Sequence, residues 1–377
     1  MISRRAGPDS DRAWMEQALA LAQIGEGTTS PNPRVGCVVV RDGRAVGWGH
    51  HEAAGKPHAE AVALGMAGDR ARGATLYVNL EPCAHQGRTP PCVDLLIERG
   101  LARVVAAVTD PNPQVDGRGF ARLRSAGVTV EMGLLEEEAR ILNEPFFHWH
   151  ARGRPLVTVK GAVSADGMLS ARGGRSRWIT GAPARRFAHR LRLRSDAILV
   201  GAGTVRVDDP ELTVRLPGIT ASRIRAVLAP DLSVPPHARA FDRHGPADPA
   251  PRIYASRDLP AGAEARFAGR AEVVRVPAPG GRLDLGAVLD DLGRVGAQSL
   301  LVEGGGKTVA GFLAQGMADL TAIFVAPRLV GARGGVALVD GTASENPAAA
   351  TALDPIRVLP VGSDLFVLAR VRPAAAP

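Results

Sequence analysis

At about 150 residues per domain a chain of 377 holds two or three domains. Its 45% hydrophobic and 22% charged residues, with no apolar run of the ~18 to 20 that cross a bilayer, exclude a disordered or membrane-spanning protein. The net charge of +8 rests on scattered arginine (only Lys56, Lys160 and Lys307 are lysines) and aromatic residues are 4%, which argues against a nucleic-acid partner, while three cysteines and no secretory h-region argue for a reducing cytoplasm.

Ser10 or Asp11 caps a helix whose Trp14, Met15, Ala18, Leu19 and Ala22 recur at helical spacing until Gly25 and Gly27. The β-branched run 35–40 predicts a strand, Asp42-Gly43 a hairpin turn and 45–49 the returning strand. After His58 the segment AEAVALGMAG predicts a helix. There follow a buried strand at 75–80, a short helix at 90–99, a strand at 103–109, a helix at 119–126, a strand at 128–132 and one amphipathic helix over 134–149. Gly153 and Pro155 in the segment ARGRP mark a boundary, giving domains 1–150 and 151–377. The α/β pattern then restarts with a strand at 156–162, a helix at 182–194 and strands at 197–201, 225–228 and 252–255. A Pro- and Gly-rich loop covers 276–281. A helix at 285–295, a strand at 299–303, a helix at 308–315 and strands at 320–326 and 364–371 complete the pattern, with a frayed tail over 373–377.

A hydrolytic zinc site needs three protein ligands and an open position for water. His58, Cys83 and Cys92 can supply the three. Glu60, two residues beyond His58 in PHAEA, falls on the first turn of the following helix, where its carboxylate reaches the open face without joining the ligand set. The two cysteines stand at a strand end and a helix start, where amides and the helix dipole favour thiolate. The HxE and PC elements match the zinc base-deaminase signature, except that eight residues separate the cysteines here. Cys37, inside VGCVVV, reads as core, and His85 ranks behind the thiolates as a ligand. Further on, AILVGAGTVR begins a GxGxxG but puts Arg206 at its third glycine, and LLVEGGGKT has Leu301 where a P-loop needs glycine. Two glycine-rich strand-to-helix turns remain, open either to a phosphate or to an ordinary tight turn.

TTSPNPRVGCVVV, GWGHHEAAGKPHAEA and EPCAHQGRTPPC together resemble the deaminase half of the bifunctional riboflavin-biosynthesis deaminase-reductase, whose long cysteine spacing sets it apart from cytidine, tRNA adenosine and guanine deaminases. KGAVSADG, SRWITG, RLRLRSDAILVGAGTVRVDDPELTVR and VEGGGKT resemble its reductase half; 217–281 and the carboxyl terminus match least. The resemblance implies an α/β protein with an amino-terminal cytidine-deaminase-like three-layer α/β/α domain and a carboxy-terminal dihydrofolate-reductase-like α/β domain. It implies one zinc ion per chain and NADPH as cofactors, and a phosphoribosylated pyrimidine as the small-molecule substrate. That substrate is first hydrolysed at its 2-amino group and then reduced from ribosyl to ribityl. A cytoplasmic homo-oligomer with no nucleic-acid or membrane partner is expected.

Carried over residue by residue, the resemblance implies His58, Cys83 and Cys92 as zinc ligands and Glu60 as proton donor and acceptor. Asn32 and His51 are implied at the pyrimidine or ribose. Ala84 and Arg88 are implied in the substrate loop, where Gly87-Arg88-Thr89 stands for the GKT of many relatives. In the second half it implies Val163, Trp178, Thr204, Asp208, Gly305, Gly306, Lys307, Thr308 and Gly311 at the cofactor. At the substrate it implies Lys160, Ser176, Arg192, Leu212, Arg215 and Glu303. Arg192 and Arg215 suit a phosphate arm as fixed planar cations, Lys160, Glu303 or a water suits the proton step, and Arg206 reads as a solvated charge. A structural-zinc binding module would need four closed ligands and clustered basic residues, and a nucleic-acid-editing deaminase would lack the reductase motifs; both readings rank behind.

Overall fold

In a computed structural model of the chain, residues 10–85, 91–171, 178–219, 221–246, 248–341 and 344–372 are described. The chain divides into two compact units, Met1–Gly153 and Arg154–Pro377. Among the described residues no helix is long and apolar enough to cross a membrane.

The first unit runs α1 (Ser10–Ile24), β1 (Gly36–Arg41), β2 (Arg44–His50), α2 (Ala59–Ala67), β3 (Thr75–Val78), α3 (Cys92–Glu98), β4 (Arg103–Ala106), α4 (Arg118–Ser125), β5 (Thr129–Met132), α5 (Glu136–Leu142) and α6 (Glu144–Arg152). Its sheet has the order β2-β1-β3-β4-β5. The antiparallel β1–β2 hairpin turns at Asp42 and Gly43, both with positive φ, and β3, β4 and β5 run parallel. Alternation along β1 sends Cys37 and Val39 toward Ala63, Leu96 and Phe120 of α2, α3 and α4. It sends Val38 and Val40 toward Trp14 and Met15 of α1 and toward Ala139 and Phe146 of α5 and α6. Helices therefore cover both faces, in three layers, and each large apolar side chain enclosed in this way contributes about 1.5 to 3 kcal/mol. Gly36 lets α1 come close: a Cβ there would lie 2.3 Å from the Ala18 carbonyl oxygen.

The single helix expected over 134–149 is two helices. Pro145 stands in the first turn of α6, where its missing N–H is harmless, whereas in a continuous helix it would remove a bond and clash with the preceding turn. Asn143, at the break, gives its side chain to Arg34: Oδ1 accepts from the Arg34 N–H at 2.8 Å and Nδ2 donates to the Arg34 carbonyl at 2.9 Å. The second of the two helices runs on to Arg152 and is capped by Gly153 at φ 67.

The second unit runs β6 (Leu156–Ser164), β7 (Met168–Ser170), α7 (Ala182–Arg194), β8 (Ala197–Gly201), α8 (Ala202–Asp208), β9 (Ile224–Leu228), β10 (Arg252–Ser256), β11 (Glu272–Val276), α9 (Leu285–Arg294), β12 (Ser299–Val302), α10 (Gly306–Ala314), β13 (Leu320–Ala326), β14 (Val336–Ala337), β15 (Leu353–Val361) and β16 (Asp364–Val371). The large sheet has the order β11-β10-β9-β8-β12-β6-β13-β16-β15, parallel from β11 to β13 and antiparallel beyond. Leu289, Leu292, Val309 and Phe312 of α9 and α10 cover one face, and Phe187 of α7 stacks on Phe324 and Phe366 across the other. The carboxyl ends of β8 and β12 deliver the chain directly into α8 and α10, the place where open parallel sheets hold ligands.

Candidate active sites

His58 caps α2 with extended backbone, and the loop after β3 carries Cys83 to the first residue of α3, Cys92. The His58 Nδ1 lies 3.2 Å from Cys92 Sγ and 3.6 Å from Cys83 Sγ, and all three donor atoms fall within 4.8 Å of one another. Three donors this close suit one zinc ion at bond lengths of about 2.0 to 2.3 Å. The Cys92 N–H also donates to Cys83 Sγ at 3.3 Å, so the start of α3 offers an amide to sulfur. The hydrogen bond between the two thiols, assisted by His58, pushes Cys83 down to about 4, and the same bond drives Cys92 up. His85 lies outside this group of donors, and Cys37 is enclosed in the core.

Glu60, on the first turn of α2, is 3% exposed, and burial raises its carboxyl to about 7, where a group can both take and give a proton. It lines a cavity of about 430 Å³ together with His58, Cys83, Asn32 and His51. The His51 Nδ1 faces the Pro57 carbonyl at 3.1 Å, and a carbonyl only accepts; Nδ1 therefore carries the proton and Nε2 accepts from Asn32 Nδ2 at 3.0 Å. Burial lowers His51 and keeps the ring neutral. Ala84 packs against the core behind Cys83, and Arg88 lies outside the described residues.

Glu81, Asp110 and Asn112, none of them among the residues expected from sequence, line the same cavity. The Glu81 carboxylate accepts from four backbone N–H groups, those of Asp110 at 3.2 Å, Gly117 at 3.0 Å, Gly119 at 2.9 Å and Phe120 at 3.3 Å. Gly119 has no room for a side chain, since a Cβ would lie 2.3 Å from the Pro82 carbonyl oxygen. Burial raises Asp110 to about 6. The EPC tripeptide, with its acid next to the cysteine, held the one available hint of Glu81.

In the second unit a cavity of about 790 Å³ is walled by both glycine turns. Gly201 and Thr204 stand on one side, and Gly305, Gly306, Lys307 and Thr308, with Gly311 a turn further on, stand on the other. The turns touch: a Cβ on Gly201 would lie 2.5 Å from Thr308 Oγ1. Asp208 also lines the cavity. Val163 is buried on β6, and Trp178, 63% exposed, lies under the Arg185 guanidinium at 4.6 Å; neither belongs to the cavity lining. Arg206 is exposed, in keeping with the solvated charge read from sequence, and it also lines the cavity, its Nη1 donating to the Ser233 carbonyl at 2.8 Å and hydroxyl at 2.7 Å. The fold after β9 brings Ser233 back to it, a contact that no local pattern announces.

Lys160 of β6, Arg192 of α7 and Glu303 just after β12 form a charged cluster. The Arg192 fork closes on Glu303, Nε to Oε1 at 2.7 Å and Nη2 to Oε2 at 2.8 Å, while Nη1 donates to the Thr213 carbonyl at 2.8 Å. Burial alone would raise Glu303, but Arg192 and Lys160 bring it down to about 2. Burial lowers Lys160. Leu212 is buried with a left-handed backbone at φ 54, in the loop that leads to Arg215. The Arg215 N–H donates to His189 Nδ1 at 3.2 Å and its guanidinium to Glu211 at 2.9 Å. His189, unremarked in the sequence, is driven down to about 4 by burial and by Arg192 and Arg215. Ser176 lies outside the described residues.

Residues 155–367 match the family model of the RibD C-terminal domain, and residues 8–108 match that of the cytidine and deoxycytidylate deaminase zinc-binding region. The riboflavin biosynthesis protein RibD of Aquifex aeolicus is 44% identical over 321 residues, 85% of this chain and 88% of that protein. That of Escherichia coli is 44% identical over 337 residues, 85% and 89% of the two chains. Among solved structures, Acinetobacter baumannii RibD is 33% identical with a TM-score of 0.86, covering 97% of this chain and 99% of its own. The Thermotoga maritima diaminohydroxyphosphoribosylaminopyrimidine deaminase/5-amino-6-(5-phosphoribosylamino)uracil reductase is 34% identical with a TM-score of 0.85, covering 96% and 99%.

Proposed function

The chain belongs to the RibD family of bifunctional riboflavin-biosynthesis deaminase-reductases, and from that premise we propose which unit and which residues perform each reaction. The first unit deaminates 2,5-diamino-6-(5-phosphoribosylamino)pyrimidin-4-one. The second reduces the ribosyl group of 5-amino-6-(5-phosphoribosylamino)uracil with NADPH. The observation that carries the assignment is a three-donor cluster beside a buried carboxylate in one cavity, on a unit separate from the glycine-walled cleft.

His58, Cys83 and Cys92 would hold one zinc ion, which would supply a water acidic enough to attack at neutral pH. Glu60 takes a proton from the attacking water and returns it to the departing amine, so one carboxylate serves both halves of the step. His51 keeps the Asn32 amide in place, leaving the Asn32 Oδ1 to accept from the pyrimidine. Arg88 takes the phosphate, and Ala84 borders the ring.

In the second unit the turns at Thr204 and at Gly305, Gly306 and Lys307 would hold the NADPH pyrophosphate, since amides at a helix start favour anions, and Thr308, Asp208, Gly311, Val163 and Trp178 would complete the cofactor contacts. Bound NADPH supplies the hydride for the opened ribosyl carbon. Glu303, held anionic by Arg192, is a poor proton donor at neutral pH. Lys160, lowered by burial beside it, donates the proton instead. Arg215 carries most of the phosphate charge, since the Arg192 fork is occupied by Glu303, and Leu212 and Ser176 shape the remaining contact. The exposed apolar side chains Leu353, Ile356, Val358 and Leu365 on β15 and β16 support a homo-oligomer, and three free cysteines support a cytoplasmic setting.

Incubating the purified protein with NADPH and the phosphoribosylated diaminopyrimidine, and following ammonia and NADPH absorbance separately, tests both halves. Ammonia release followed by NADPH loss is expected. Ammonia without NADPH loss would remove the second assignment, and silence in both would remove the whole reading.

A further inference from the structure

In the large sheet, β9, β8, β12 and β6 are successive neighbours, so the cleft crosses about 14 Å of sheet edge at ~4.8 Å per strand. Lys160 and Glu303 fix the reducing end on the β6 and β12 side. The pyrophosphate turns follow β8 and β12, which leaves the wall after β9, formed by Leu228 and Pro230, for the adenosine end. Arg206 lines this cavity from the second turn of α8. Its Nη1 is pinned on the Ser233 carbonyl and hydroxyl, and Ser233 belongs to the loop that follows β9. A guanidinium held by one nitrogen keeps Nε and Nη2 for an anion and loses little side-chain freedom in binding it. Two acids also belong to the lining, Asp340 beside Gly306 and Asp208 at the end of α8, two residues beyond Arg206. Asp231, which accepts from the Ser233 N–H at 3.1 Å, is absent from the lining. Dinucleotide sites commonly set an acid against a ribose 2′-hydroxyl and an arginine against a 2′-phosphate.

We propose that Arg206 selects the dinucleotide that carries a 2′-phosphate on its adenosine ribose. This rests on the NADPH reading above and names the group that enforces it; Arg282, on the same cavity, adds positive charge without a comparable anchor.

Calorimetric titration of the full-length protein with NADPH, NADH, adenosine 2′,5′-bisphosphate and AMP tests it. Wild type is expected to prefer both 2′-phosphorylated ligands. Arg206→Gln should weaken those two by about 10- to 100-fold while NADH and AMP change less than about twofold, and that retained binding shows the variant is folded. Ser233→Ala, which removes the hydroxyl contact and keeps the carbonyl one, should show the same pattern at smaller size. Equal weakening of NADPH and NADH in Arg206→Gln, an intact NADPH preference, or a preference lost in Arg282→Gln alone would overturn the proposal while leaving the reductase reading standing. A wild-type protein that binds neither dinucleotide would overturn both.

Discussion

In the first unit the three candidate zinc donors come from one short stretch, His58 to Cys92, and their donor atoms lie within 4.8 Å of one another. In the second the groups of the site are spread from Lys160 to Asp340 and consist as much of backbone turns and an ion pair as of reactive groups. The contrast shows where each site is vulnerable. A metal site fails when one donor atom is removed; a cofactor cleft built from amides has few atoms that substitution can take away, and its weak points are the charges that hold its walls.

Losing a zinc ligand should produce the widest separation between the two units. Cys83→Ser or Cys92→Ser is expected to empty the site and stop ammonia release while reduction of the already deaminated substrate continues, and Cys37→Ser should stay zinc-loaded because that thiol is enclosed in the core. Metal analysis giving the reverse pattern would reassign the ligands. A step smaller, Glu60→Gln should retain zinc and lower deamination by ~10² to 10⁴-fold; a near-normal rate would take Glu60 out of the proton path. On the other side, Arg192→Ala leaves Glu303 buried without its fork and should destabilise the second unit by about 3 kcal/mol in urea unfolding, with deamination untouched. A loss under about 1 kcal/mol would make the pair an ordinary solvent-screened one.

The smallest effect concerns acidity. His189 falls from its ordinary 6.5 to about 4 in the fold, so between those values the unfolded chain binds the proton first and the second unit loses stability as pH falls. Glu303, at about 2 against an ordinary 4.5, adds a further loss below that range. Thermal melts of His189→Asn should decline less steeply from pH 6.5 to 4 than those of wild type and run parallel to it below pH 4. An unchanged profile over the upper window would show that His189 titrates normally.

What could be read in advance follows the range of the forces involved. α7, β8, β13 and β16 occupy the residues that periodicity indicates, because each buries a regular face. β15 escaped notice because Pro355 and Pro360 argue against a strand; as the edge of the sheet it has a free side on which missing N–H groups cost nothing. β11 was obscured by the Pro-Gly loop that begins where it ends, and α8 was taken for the turn that launches it. That His58, Cys83 and Cys92 would come together was legible because sulfur and imidazole at strand and helix ends have few other uses. Glu81, Asp110 and His189 were not, since a lone acid or histidine looks the same on a solvated surface, and only the folded chain shows what it faces.

Glu81 has one more consequence. α4 begins at a glycine with no capping side chain, and the amides of Gly119 and Phe120 in its first turn are taken instead by a carboxylate nearly forty residues upstream, which also holds those of Asp110 and Gly117. In hydrogen exchange these four amides should open together or not at all. A wall of the cavity that contains no strand thereby keeps its shape in the manner of one.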